Sequence, residues 1–162
     1  MSDQLEDLKN ALKTAIASCS SKVTSYYPGV SWATKNVFYG SNPLIHNMNR
    51  GRQIICHFYR ENTTYLNESD GAAGTLNTSW VIELSAFRKP ASGATKIYDE
   101  EGFEDALDDI FSSIIYAIRA TNGLNLSGGT DSEIERIALV PHGFTYRTKI
   151  ALNNAWVNSD RT

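Results

Sequence analysis

Residue types that staple a chain, hold a metal or end a helix are scarce here: two cysteines, three histidines and four prolines in 162 residues. Cys19 falls near the end of a predicted helix and Cys56 inside a predicted strand. Two thiols cannot form a disulfide framework; both read as small buried hydrophobes in a reducing compartment, with a single bridge as the most the count allows. His46, His57 and His142 fall in no His-x-x-x-His pattern, and the cysteines in no Cys-x-x-Cys, so zinc-ligand spacing is missing. No run approaches about 18 uninterrupted apolar residues, which excludes a membrane-spanning helix. The start, Met1 to Asp7, has neither the basic region nor the apolar run of a secretory signal, which predicts folding in the cytoplasm. A surplus of one charge is absent too. Fifteen basic and 18 acidic side chains leave a net charge of -3, so no net attraction draws the chain to nucleic acid, although a local basic patch is allowed.

What remains suits one globular domain over residues 1–162. A chain of this length hides roughly two-thirds of its extended surface on folding, and 41% hydrophobic residues with 10% aromatic supply the core. Leu5, Leu8, Leu12, Ile16 and Cys19 recur at three- and four-residue spacing and predict a helix over Asp3–Cys19, capped by Ser2, with Asp3, Glu6 and Asp7 at its positive end. A long irregular section, about 20–51, follows, broken by Tyr26-Tyr27-Pro28-Gly29 and Ser41-Asn42-Pro43, with a short strand near Asn36–Tyr39. Such a connection is longer than compact domains normally carry, so it holds short elements or becomes ordered against a partner.

Gln53–Tyr59 is a nearly continuous apolar, β-branched and aromatic run, and reads as a strand covered on most sides. Polar Glu61 to Ser69 lead out of it. In Thr78–Phe87 the residues Trp80, Ile82 and Leu84 alternate with Ser79, Glu83 and Ser85, which assigns one face to the core. Phe103, Leu107, Ile110, Phe111, Ile114, Ile115 and Ile118 make a broad apolar stripe on a helix over Gly102–Thr121, stopped by Asn122-Gly123. A flexible glycine-rich loop, about 122–132, comes next. Ile134–Val140 and Phe144–Leu152 predict two closing strands, the second with Arg147 and Lys149 on its polar face and Asn153-Asn154 interrupting it. The fold class is α+β: a mainly antiparallel or mixed sheet with two helices packed on one face.

Catalytic signals are weak. His57, inside an apolar strand, reads as structural rather than as a base. His142 lies on a turn without a visible nucleophile, and a Cys56/His142 dyad requires only that the two meet in space. Gly71-Ala72-Ala73-Gly74 and Ser127-Gly128-Gly129-Thr130 lack the Gly-Lys-Ser/Thr ending of a phosphate loop. No catalytic residue, cofactor site or metal site is assigned. The charged side chains carry more. Asp99, Glu100, Glu101, Glu104, Asp105, Asp108 and Asp109 form an unbroken acidic cluster. The helix dipole accounts for the first of these, but Asp108 and Asp109 lie past the first turn and repel their neighbours at four-residue spacing. The alternative is an anionic face that docks on a neighbouring subunit or lines a polar surface. Glu104, Asp105, Asp108 and Asp109, with Arg50, Arg52, Arg147 and Lys149 as the basic counterparts, are the candidate subunit-interface or lumen residues.

The order of these elements resembles the tail terminator proteins of long-tailed bacteriophages, the lambda-like minor tail proteins. The likeness lies in the N-terminal helix Asp3–Cys19, the strand Gln53–Tyr59 after an Arg-rich turn, and the long strand Thr78–Phe87. It continues through the acidic amphipathic helix Phe103–Ala120 and the late strands Ile134–Val140 and Phe144–Leu152. The Tyr26–Asn49 section and the Asn122–Asp131 loop depart from it. The resemblance implies a homo-oligomeric ring, typically hexameric, that caps the tail tube, stops its polymerisation and offers a surface to the head connector. DNA passes through such a ring unread, and the protein ends in the virion tail after assembly in the host cytoplasm. The alternatives are a head–tail connector or tail-completion protein and, more remotely, a small hydrolase.

Overall fold

A computed structural model of the chain describes residues 3–40, 54–67, 73–87, 100–127, 133–137 and 143–157. Its elements run α1 (Asp3–Ala17), α2 (Ser20–Tyr26), α3 (Trp32–Lys35), β1 (Val37–Tyr39), β2 (Ile54–Asn67), β3 (Ala73–Phe87), α4 (Glu100–Ala120), β4 (Ile134–Arg136) and β5 (Gly143–Val157). The strands form one sheet in the order β1-β2-β3-β5-β4. β1 pairs parallel with β2 and every other pair is antiparallel, so the fold is α+β with a mixed sheet.

β3 sits at the centre, and its alternation sorts the molecule. Leu76, Trp80, Ile82, Leu84 and Ala86 point to the helix layer and are buried, joined there by Ile54, Cys56 and Phe58 from β2 and Phe144, Ile150 and Leu152 from β5. Leu8, Leu12 and Ile16 of α1 and Phe103, Leu107, Ile110 and Ile114 of α4 close the same core, so both long helices cover one face as the stripes predict. Phe103 stacks on Phe144 at 6.0 Å and meets Tyr146 edge-on at 5.6 Å, which ties the start of α4 to the start of β5.

Several boundaries differ from the sequence reading, each for a local reason. α1 ends at Ala17, not Cys19: the Ser18 hydroxyl donates to the Ala15 carbonyl at 2.6 Å and the Cys19 N–H turns back to Ile16 at 3.2 Å. The irregular section of 20–51 holds α2, α3 and β1 in its described part. Val23, Tyr27, Trp32 and Val37 are buried there, and the Trp32 indole N–H donates to the Ile16 carbonyl at 2.8 Å. Ser20-Ser21-Lys22-Val23-Thr24 has little helix propensity, so tertiary burial rather than local preference makes α2. The turn after it appears where expected, with Gly29 at φ 85°. The expected strand near Asn36 is β1, fixed by the Asn36 side-chain amide donating to the Ile54 carbonyl at 2.6 Å.

β2 does not stop at Tyr59. Its register against β3 shifts between Arg60 and Asn62, leaving Glu61 as the extra residue of a bulge. Before the shift even-numbered residues face the helices; after it Thr63 and Tyr65 do, opposite Thr78 and Leu76. This change of parity hides the continuation from an alternation search. β4 is shorter than expected, Ile134–Arg136, and residues 138–142 lie outside the described set. β5 runs on through Asn153-Asn154 to Val157. Asn154 is buried and its amide donates to the Gly123 carbonyl at 2.7 Å, while the Asn153 N–H donates to the Asn125 carbonyl at 2.9 Å. The two asparagines hold the turn after α4 instead of ending the strand.

Both thiols are free and buried, and burial pushes each pKa up, so neither carries the thiolate that reactivity requires. Replacing Phe103 by Ala should cost about 3–5 kcal/mol, because it removes a fully buried ring from the α4–β5 contact. A denaturation midpoint shifted by less than a third of this, at unchanged slope, would show that α4 does not depend on that contact.

Candidate assembly surfaces

The four predicted acids of α4 are all exposed, and two of them already have partners. Glu104 accepts a hydrogen bond from the Tyr146 hydroxyl and Asp109 one from the Tyr26 hydroxyl. The Asp109 bond, reinforced by the negative charge beside it, raises the Tyr26 phenol above its ordinary pKa. Glu101, Asp105 and Asp108 project without a salt bridge among the described residues. At helical spacing Glu104 and Asp108 continue the line of Phe111, Ile115 and Arg119, the side of α4 that lies along β4.

Arg147 and Lys149 stand on the opposite face of the sheet, as their alternation in β5 requires. Arg147 Nε lies 2.9 Å from Glu135 Oε2, and Lys149 Nζ lies 3.3 Å from Glu61 Oε1. These two bases thus meet acids of β4 and β2, and among the described residues they form no salt bridge with the acids of α4. Arg50 and Arg52 lie outside the described residues, as do His46, His142, Asp99 and the 128–132 part of the glycine-rich loop. Both ion pairs are exposed and contribute about 0–1 kcal/mol each.

On that face, which is helix-free among the described residues, one row of register partners crosses every described strand: Phe38, His57, Glu83, Arg147 and Glu135. The Tyr59 hydroxyl donates to Glu83 Oε1 at 3.3 Å. Phe38 stacks on His57 with ring centroids 5.2 Å apart. His57 Nδ1 is 2.9 Å from the Gly40 carbonyl; a carbonyl only accepts, so Nδ1 carries the proton. Nε2 is buried without a hydrogen-bond partner. Burial lowers the His57 pKa, against the weaker opposing pull of the Gly40 carbonyl and Glu83. His57 is therefore a neutral structural histidine, the bland reading of the sequence.

Sequence reasoning missed the apolar side chains left in solvent. Among the described residues the large ones are Tyr39 at 44% exposure, Leu66 at 52%, Tyr116 at 75% and Ile134 at 38%. Tyr116 follows Ile115 directly and so lies off the buried stripe, a signal that helical spacing alone carries. Tyr116 and Ile134 border a cleft of about 320 Å³ between α4 and β4, whose floor includes Thr148. The Thr148 hydroxyl is buried and has no hydrogen-bond partner. A second cleft, about 680 Å³, separates α2 from α4 and is lined mainly by small polar residues.

The sheet edges complete the surface. β1 covers β2 only from Cys56 to Phe58, and among the described residues no strand pairs with the outer edge of β2 beyond that. Arg60 to Thr64 and Leu66 are exposed along it. At the other end all three residues of β4 are exposed. Among the described residues no group of three or more His, Cys, Asp or Glu could hold a metal ion, and no helix is long and apolar enough to cross a membrane. No family model and no curated protein sequence matches the chain.

Two outcomes follow for the helix-free face. An NMR titration should give His57 a midpoint below its ordinary 6.5. Since the unfolded chain takes up that proton first, the stability it holds is complete above 6.5 and falls as pH drops through the lowered midpoint. A midpoint at or above the ordinary value would contradict the buried neutral ring. Replacing Glu135 by Ala should change stability by less than about 1 kcal/mol, read from thermal unfolding.

Proposed function

We propose that this chain is a structural subunit of a phage tail terminator: a homo-oligomeric ring, taken as hexameric, that caps the tail tube and presents a joining surface to the head connector. The observation that carries the reading is the pair of sheet edges, the outer side of β2 beyond Phe58 and the outer side of β4, along which no further strand pairs among the described residues. An open edge invites further strand pairing, and a closed ring is the assembly that uses both edges of every copy and leaves none to nucleate aggregation. The element order lends support, since the helix, two long strands, acidic helix and late strands on which the resemblance rests occur in that sequence in the fold.

The chemistry is stoichiometric. Occupying the growing end of the tube ends polymerisation by steric exclusion, and no bond is made or broken. Asp105 and Asp109, exposed on the α2 side of α4, suit a surface past which DNA slides, because like charge keeps the duplex from adhering. On this reading the protein has no enzymatic step, folds in the host cytoplasm and ends in the virion tail.

Growing tail tubes incubated with the purified chain should stop at the length reached on addition, and electron microscopy should show one added ring at one end. Tubes that elongate unchanged would remove the reading; a ring on isolated connectors but never on tubes would replace it with that of a head–tail connector. Reversing Asp105 and Asp108 to Lys changes exposed charges that form no salt bridge among the described residues. It should impair capping or joining with folding unaffected, and unaltered tail joining would take the acidic face out of the mechanism.

A further inference from the structure

We propose that copies of this chain join head to tail, the outer edge of β2 in one copy lying along the β4–α4 edge of the next. This deepens the ring reading by naming the contact, and it rests on that reading only for closure of the ring.

The exposed apolar residues make the first argument. Tyr39 and Leu66 belong to β1 and β2 at one end of the strand order, whereas Tyr116 and Ile134 flank β4 at the other. A two-fold contact matches one edge with itself and leaves the exposed apolar residues of the opposite edge in water. A heterologous contact covers both in every copy and closes into a ring when the rotation permits. Strand direction agrees. Three antiparallel steps separate β2 from β4, so the two run in opposite senses. A neighbour turned about an axis along the strands therefore brings its β2 antiparallel to β4, the pairing with straight ladder hydrogen bonds.

Charge assigns the same partner. Glu104, Asp108 and Glu133 stand along the β4–α4 side and are exposed. On the β2 side, Lys9 lies 5.0 Å over the Tyr39 ring, Lys13 follows one helical turn later, and Arg60 is exposed at the bulge. Neither Lys13 nor Arg60 forms a salt bridge among the described residues. The β4–α4 side also exposes Arg119 and Arg136, and the β2 side Glu6 and Glu61, so the two ends differ in balance, acids in excess on the first and bases on the second, which biases the orientation of association. The cleft beside Ile134 supplies a socket. At about 320 Å³ it takes one large side chain, and its buried Thr148 hydroxyl lacks the partner that an incoming polar group would provide.

Two variants of the full chain test the geometry: Leu66→Asp spoils only the β2 edge, and Ile134→Asp only the β4 edge. By native mass spectrometry the wild type should form oligomers and each variant should be monomeric. An equimolar mixture should form a species of two chains and nothing larger, because each variant retains the edge the other lacks. Circular dichroism and thermal melting check folding, with Arg60→Glu and Tyr116→Asp as second variants on the respective edges. A wild type monomeric at high micromolar concentration, a folded variant that keeps the wild-type mass, or a mixture without the two-chain species would each overturn the proposal. Rings that form through these edges but ignore tail tubes would instead sink the tail-terminator reading and leave this contact standing.

Discussion

Pairing of β3 with β2 on one side and β5 on the other, along almost its whole length, is the constraint from which the rest of this molecule follows. Strands of 15 residues reach roughly 50 Å at about 3.3 Å per residue. The 21 residues of α4 reach only roughly 31 Å. A helix layer of that length cannot roof the whole sheet. Its far end is closed by the start of α1, where the Gln4 amide donates to the Ala155 carbonyl at 2.7 Å, and by the turn that Asn153 and Asn154 hold. Beyond the reach of β1, no strand among the described residues pairs with the outer side of β2.

The bulge at Glu61 matters to both faces. Inserting one residue moves Thr63 and Tyr65 into the helix-facing set and sends the Glu61 carboxylate to Lys149, two strands away across β3. The same insertion increases local twist, which is how natural sheets turn an exposed edge away from indiscriminate pairing. An edge so managed is selective about what can pair with it, and selectivity is what separates ordered assembly from aggregation.

The sequence disclosed the parts of this fold that keep one period over many residues. The stripes of α1 and α4 and the alternation of β3 placed the core face correctly, down to Trp80, Ile82 and Leu84 against Ser79 and Glu83. It concealed α2, where serines and a lysine surround the single buried residue Val23, and the second half of β2, where the bulge exchanges the two faces. It read Asn153-Asn154 as an interruption, a bulge or a strand end, where the register with β3 runs straight through, because an asparagine that satisfies loop carbonyls from inside a strand looks the same in sequence as one that breaks it. For the candidate surfaces the charged residues were legible as clusters but their partners were not. Arg147 answers Glu135, and Lys149 answers Glu61, through sheet register that a linear sequence does not display. Helical spacing sets Tyr116 off the stripe of α4, but Ile134 was legible only as an apolar residue, since its exposure is a property of what the fold fails to cover.

Seen from the sheet, the two faces divide the work. The helix side is a single apolar cluster in which Trp32 is anchored to Ile16 and Trp80 to Thr78, while the Thr148 hydroxyl has no hydrogen-bond partner among the described residues. The other side carries the row from Phe38 through His57, Glu83 and Arg147 to Glu135, where successive strands present groups that attract across the ladder. Charge alternates over Glu83, Arg147 and Glu135 and favours this register, because a slip of one residue would set each member against the wrong partner and turn it to the wrong face. The row therefore holds the strands in the one alignment that leaves the outer edge of β2 and the cleft beside β4 at opposite ends of the same sheet, and that separation is what permits a contact between copies in which each edge meets an unlike one.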